Sequence, residues 1–330
     1  MTNTPSLSSL VASNFMRIKL TETSIPFSKA YKAGKTIVAS HDNAAESSYR
    51  VTRSLFPPGY DAQLTTLRKA MTAARKLFNE HTVHAGKGAD GVTNQGDKWI
   101  RSKLIADGSF LAAWQTAYGE FVQARDAFVT AYPVLIQAIE TDSQYGRALG
   151  DSFDSNDYPF ADTIKDGFAL ALDGPYPIAD ASAYGTMPLD AETRETLEAR
   201  YEASQRRAMG VVTQNLASDM AKYLQVMAKN LTSLKAYQET PLNGKGKRTP
   251  PVYESMVTNI TEALDRAKSF AVPDTDQGAR LLELVEQIEA SLEPDRLDAE
   301  YLKGSPPSYV GQLAETAKGL AEALSATDWD

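Results

Sequence analysis

Apolar positions along this chain follow two periods. Between Phe15 and Leu20, Phe15, Arg17 and Lys19 alternate with Met16, Ile18 and Leu20, a two-residue period that predicts a short strand. A second strand is expected at Thr36-Ile37-Val38, and Phe56-Pro57-Pro58-Gly59 breaks the segment. From Asp61, a candidate N-cap, the spacing becomes helical. Leu64, Leu67, Met71, Ala74, Phe78 and His81 form an a/d seam that carries a helix to about His84. A Gly-rich loop, Ala85–Trp99, follows. The longest unbroken heptad is next: Phe110, Trp114, Ala117, Phe121, Ala124, Phe128, Ala131, Leu135 and Ala138. Pro133 lies inside it and should kink the helix or start a new segment.

After Leu149 the chain is turn-rich. Asp157 is the expected N-cap of a short helix near Phe160–Phe168, and the stretch to Pro188 should be irregular or extended, because Pro175, Pro177 and Pro188 exclude a long helix. A third long helix is expected from about Leu189 to Tyr237. Leu216, Met220, Tyr223, Met227, Leu234 and Tyr237 hold its seam, while Leu197, Tyr201, Ser204, Ala208 and Val211 are out of phase with it, so the seam slips near Val212. Asn243–Pro251 reads as a linker. Three shorter helices should follow, near Val252–Ala271, Thr275–Leu292 and Pro307–Ala326. The expected fold class is mainly α: long coiled-coil-like antiparallel helices with a small N-terminal α/β piece and a C-terminal helical bundle. The corresponding segments are 1–60, a long-helix stalk at 61–240 with an irregular insert at 150–188, and a bundle at 252–330. Two heptad helices joined by a Gly-rich loop favour a hairpin within the chain, and the third is free to join it or to self-associate.

Composition supports a packed fold: 42% of the 330 residues are hydrophobic and 23% charged. The formal net charge of -8 lowers the expectation of nucleic-acid binding without excluding a local basic patch. With no cysteine, disulfides, thiolate metal sites and cysteine nucleophiles are excluded. No apolar run has the length of a membrane span, and the N-terminus lacks a secretion-signal pattern, so a cytoplasmic location without membrane association is expected.

Candidate chemistry is sparse. Gly34-Lys35-Thr36 resembles the end of a phosphate-binding loop, but Lys29 occupies the position of the first glycine. His81 and His84 would share one face of a helix, with no third or fourth metal ligand evident. Asp151, Asp154 and Asp157 lack the alternation of a calcium loop and suit turns and caps. Trp114, Phe121 and Phe128 fit a packed core better than a base-stacking platform. Two places are candidate contacts for a partner or for nucleic acid: the basic loop of Lys245, Lys247 and Arg248, and an exposed acidic tail, Asp328-Trp329-Asp330. No catalytic set, cofactor motif or metal site stands out.

Several stretches resemble an uncharacterised helical family of phages and bacteria, often encoded beside a MoxR-type AAA+ ATPase and a von Willebrand factor A-type protein. They are Arg50–Gly59, Ala73–Thr82, Gly119–Leu135, Asp157–Phe168 and Glu254–Leu264, the most distinctive being DYP-x4-I-x3-F and S-M-V-x-N-I. The Gly-rich Ala85–Gly96 departs from the family's usual Trp- and Pro-containing loop. The resemblance implies a cytoplasmic protein, in the host if phage-encoded, and a client or cofactor role for an ATPase. It supplies no catalytic residues. The expected function is therefore a non-enzymatic adaptor or assembly protein that docks a protein partner such as an AAA+ ATPase. The alternative is a nucleic-acid-binding accessory protein of phage replication or host takeover.

Overall fold

The structure is a computed structural model and describes residues 5–30, 52–85, 97–141, 154–181, 187–239, 254–293 and 297–329. The protein is mainly helical, with a small N-terminal helix, a four-stranded sheet and a C-terminal helical bundle. It divides into two compact units. The first comprises Met1–Lys19, Glu80–Asp107 and Gly174–Asp330; the second comprises Leu20–Asn79 and Gly108–Asp173. Both units are discontinuous in sequence, whereas a hydrophobic pattern read along the chain yields contiguous segments.

Early in the chain, α1 (Leu7–Asn14) is capped by Ser6, whose hydroxyl accepts from the Ser9 amide, and leads into β1 (Phe15–Thr23). The alternation from Phe15 does form a strand, longer than expected. It enters a four-stranded sheet with β4 (Thr82–His84), β5 (Asp97–Arg101) and β6 (Ala169–Pro177), in the order β4-β5-β1-β6. The β1–β5 and β4–β5 pairs are antiparallel, with Arg17 opposite Trp99 and Val83 opposite Trp99. The short α3 (Ser102–Ala106) follows β5.

The first unit also holds a helical bundle. Its spine is α6 (Ala191–Glu239), 49 residues and roughly 73 Å at the helical rise. Against it pack α7 (Glu254–Phe270), α8 (Asp276–Leu292) and α10 (Pro307–Ala326); α9 (Ala299–Gly304) bridges α8 and α10. The α10 helix runs antiparallel along α6. Near one end a Cβ on Gly210 would meet the Trp329 carbonyl at 3.0 Å, and near the other Gln238 donates to the carbonyls of Lys303 and Ser305. Their shared core is rich in small residues, Ala217, Ala221 and Ala228 from α6 with Ala314, Ala317 and Ala321 from α10, which lets the two backbones approach closely.

The seam slip expected near Val212 has a structural counterpart. Buried residues on α6 step by four, through Ser204, Ala208, Val212, Leu216, Met220 and Leu224. Each four-residue step advances about 40° around a helix of 3.6 residues per turn. This row therefore advances about 200° around the helix over 20 residues, with Gln205, Met209, Thr213, Ala217 and Ala221 buried beside it. Different elements cover successive faces: α1 lies beside Glu202, β4 beside Asn215 and α7 beside Asp219.

The second unit contains α2 (Ala62–Glu80), α4 (Ser109–Thr141), α5 (Ala161–Gly167) and the two-stranded β2–β3 ribbon, Ser28–Ala30 with Thr52–Ser54. The α2 seam is buried as expected at Leu64, Leu67, Met71, Ala74 and Phe78. The helix stops at Glu80, however, not at His84. Thr82 and Val83 are β-branched and pair with Ile100 and Trp99, so the histidines do not share a helical face: His81 lies in a turn and His84 on β4.

Other expectations need correction. The α4 helix runs through Pro133 as one helix, so no new segment starts there. Pro133 is on its exposed side, where water can satisfy the carbonyl that loses its partner. The short helix after Asp157 starts at Ala161 with Phe160 at its N-cap position; Asp157 closes a preceding 3-10 turn that Asp154 caps through the Asn156 amide. The segment beyond it is extended, as β6. The expected strand at Thr36–Val38, the Gly34-Lys35-Thr36 segment and most of the Gly-rich loop lie outside the described residues.

Candidate functional site

Two places in the described structure combine unusual exposure or charge with fixed geometry, one in each unit.

In the second unit, Phe27, Phe56, Phe128, Tyr132, Tyr158 and Phe168 form an aromatic cluster. Phe27 is its hub, with ring centroids 5.1 Å from Phe56, 5.8 Å from Phe128, 5.9 Å from Tyr132 and 6.0 Å from Phe168. Edge contacts dominate, as the quadrupoles of aromatic rings favour. Phe27 itself has φ 32°, a left-handed value that this packing holds in place. Two tyrosines tie the cluster to backbone: Tyr158 donates to the Leu55 carbonyl at 2.6 Å and Tyr132 to the Pro159 carbonyl at 2.9 Å. Burial, then the neighbouring Tyr158, raises the Tyr132 pKa well above the usual phenol value. Immediately after Pro159, Phe160 is 84% exposed, and Val134, two residues after Tyr132, is 67% exposed. Both large apolar side chains thus stand in water. Most hydrophobic surface residues are exposed singly and mean little; a nearly naked phenylalanine on a rigid mount is less ordinary.

In the first unit, basic groups gather at the open edge of the sheet. Among the described residues β4 is the outer strand of the sheet, in the order β4-β5-β1-β6. Arg266 on α7 donates to the Thr82 carbonyl at 2.6 Å, and Asn215 on α6 donates to the His84 carbonyl at 3.2 Å. Two helices thereby cover the edge. Arg266 also pairs with Asp219 on α6 at 3.1 Å, while its Nε is buried without a hydrogen-bond partner. Lys98 on β5 is the cross-strand partner of His84. Burial and then Arg266 push the Lys98 pKa down to about 8, with Asp219 opposing. Although the His84 residue as a whole is exposed, its pKa is lowered by partial desolvation, then by Lys98 and Arg266. Among the described residues, His84, Lys98, Arg266 and Asp219 share this corner.

The sequence-derived candidates fall elsewhere. Phe110, Trp114, Phe121 and Phe128 are buried core residues, and Leu135 is half-buried. Past Phe128 the buried positions become Tyr132 and Ile139, because a straight helix drifts about 20° per heptad away from an a/d seam. The C-terminal tail is not exposed: Trp329 is 6% exposed and belongs to the helical core, and the Asp328 carbonyl accepts from Arg280 at 3.1 Å. Lys245, Lys247, Arg248 and Asp330 lie outside the described residues. Phe160, Lys98 and Arg266 were not singled out by sequence. For Phe160 a signal existed, a large apolar residue between Pro159 and a helix start that fits neither seam. No spacing rule could have joined Lys98 to Arg266. Among the described residues, no group of three or more histidine, aspartate or glutamate side chains is gathered as a metal would require, and no helix is long and apolar enough to cross a membrane.

Comparison of the chain with protein-family models, with curated proteins and with solved structures gives no match to any of them.

Proposed function

We propose that this chain is a non-enzymatic helical docking protein, and that its contact with a protein partner is centred on Phe160 and Val134. The exposure of Phe160 on the aromatic framework carries this reading. Burying one such side chain contributes about 1.5–3 kcal/mol, roughly a ten- to hundredfold change in affinity. Because its mount is already ordered, little conformational freedom is lost on binding. The resemblance noted in the sequence nominates a MoxR-type AAA+ ATPase as the partner, in the cytoplasm of a bacterium or of a phage-infected host.

The test is affinity capture from the native host with nuclease present, comparing the wild-type chain with Phe160→Ser and Val134→Ser, followed by reconstitution with the purified ATPase. A nuclease-resistant ATPase that binds the wild type and is reduced at least tenfold by Phe160→Ser supports the proposal. Equal capture by both chains removes Phe160 as the contact. Partners that disappear with nuclease move the reading to the alternative, a nucleic-acid-binding accessory protein.

A further inference from the structure

We propose that the exposed N-terminal part of α6 is a self-association surface, on which two copies of this chain pair antiparallel about a two-fold axis near Ala199. The face continues one that the fold already uses. Toward the C-terminal end of α6, Ala217, Ala221 and Ala228 pack against α10, and Gly210 meets the chain end at Trp329. Counting back from Gly210 in alternate steps of four and three gives Arg206, Ala203, Ala199, Thr196 and Glu192, the spacing that keeps residues on one side of a helix. The α10 helix ends at Ala326, and all five of these residues are exposed. A groove of about 460 Å³ runs along them, lined by Glu192, Glu195, Thr196, Ala199, Arg200 and Ala203.

Charge identifies the occupant. Seven residues to either side of Ala199 stand Glu192 and Arg206, with Glu195 and Arg207 near them. All four are exposed, and among the described residues none of them is in an ion pair. At about 1.5 Å per residue, the acidic and basic ends lie about 10 Å from the centre. A two-fold axis through that centre sets each acidic end against the basic end of the other copy, twice over, as an isologous contact requires. Parallel pairing would set like charges together instead. The small side chains of Ala199 and Ala203 in the middle let the two helices approach closely. From Ala191 to Arg207, four glutamates are balanced by four arginines, so this face escapes the repulsion that copies of a chain of net charge -8 otherwise feel. A purely acidic or purely basic partner would match only one end.

Sedimentation equilibrium of the full chain tests this, with the 35.9 kDa monomer as reference. A dimer should form at micromolar concentration and weaken as salt screens the end pairs. Arg206→Glu with Arg207→Glu should weaken it at least about tenfold, and so should Glu192→Lys with Glu195→Lys, because each places like charges opposite one another. Mixed in equal amounts, the two double variants should recover a dimer, since both end pairs then regain opposite charges. The substituted positions are exposed, so thermal midpoints should stay near the wild-type value. A chain that stays monomeric to about 100 μM, a dimer indifferent to both double variants, or a mixture that recovers none overturns the proposal. A monomer whose capture of another protein is lost in either double variant assigns the face to that protein and likewise overturns self-association. Phe160 takes no part in this contact, so this surface and the docking reading can fail separately.

Discussion

The two units differ in the side chains at their tightest contacts. The first brings a 49-residue helix and α10 together over alanines, with Gly210 allowing close approach to the chain end. The second gathers six aromatic rings, several from outside helices, with Phe27 as their hub. Small side chains let backbones approach but leave no room for added volume. Large rings bury much area each but leave a cavity when one is removed. The first unit should therefore be sensitive to enlargement and the second to truncation.

The strongest test of that contrast is Phe128→Ala. It removes a ring that is 0% exposed and touches Phe27, Phe56, Tyr132 and Phe168, and should cost about 3–5 kcal/mol in chemical denaturation. A loss below 1 kcal/mol would mean that the cluster collapses freely around the gap. Next comes Ala317→Leu. At a position 0% exposed, the added methylenes should cost about 1–3 kcal/mol, and a stabilised variant would show the α6–α10 core to be loosely filled. Tyr158→Phe keeps the ring but strips the buried donor to the Leu55 carbonyl, for an expected loss of about 1–3 kcal/mol. It separates packing from hydrogen bonding within the second unit.

Lys98→Met sharpens the comparison from the first unit's side. The Lys98 pKa falls from 10.5 to about 8 on folding, so below pH 8 the folded state bears the cost of holding a proton there. Between about pH 8 and 10.5 the unfolded chain binds more protons than the folded one, and the lysine protein gains stability as pH rises. The substitution should thus stabilise most below pH 8 and lose its advantage by pH 10.5, read from denaturant midpoints across that range. A constant difference at all pH values would show that packing, not charge, sets it. The smallest effect is expected from Phe160→Ser. At 84% exposure it should change stability by less than about 0.5 kcal/mol, in contrast to Phe128. A larger loss would place Phe160 in the fold rather than at a contact.

Helices were the most legible part of the chain. The last three long patterns became α7, α8 and α10 almost at their expected limits, because each keeps one apolar stripe facing one core. Legibility failed where a local pattern competed with a distant partner. His81 and His84 continue a helical spacing, yet pairing with β5 draws Thr82–His84 into a strand. Trp329 looks like part of an exposed tail in an acidic sequence, yet Gly210 leaves room for the chain end to lie against α6. The basic corner at the β4 edge was less legible still, since its members are Lys98 and His84, joined by strand register, and Arg266, far along the chain on α7.

Sequence by itself determined the helical class, the long α6, the three bundle helices and the burial of Phe110, Trp114, Phe121 and Phe128. These follow from side-chain period, which acts over a few turns and needs no knowledge of partners. Tertiary structure alone decided which faces of α6 are covered, where α2 yields to a strand, that Trp329 is interior and that Phe160 is not. Those outcomes depend on contacts between residues far apart in sequence, whose energies no local spacing encodes.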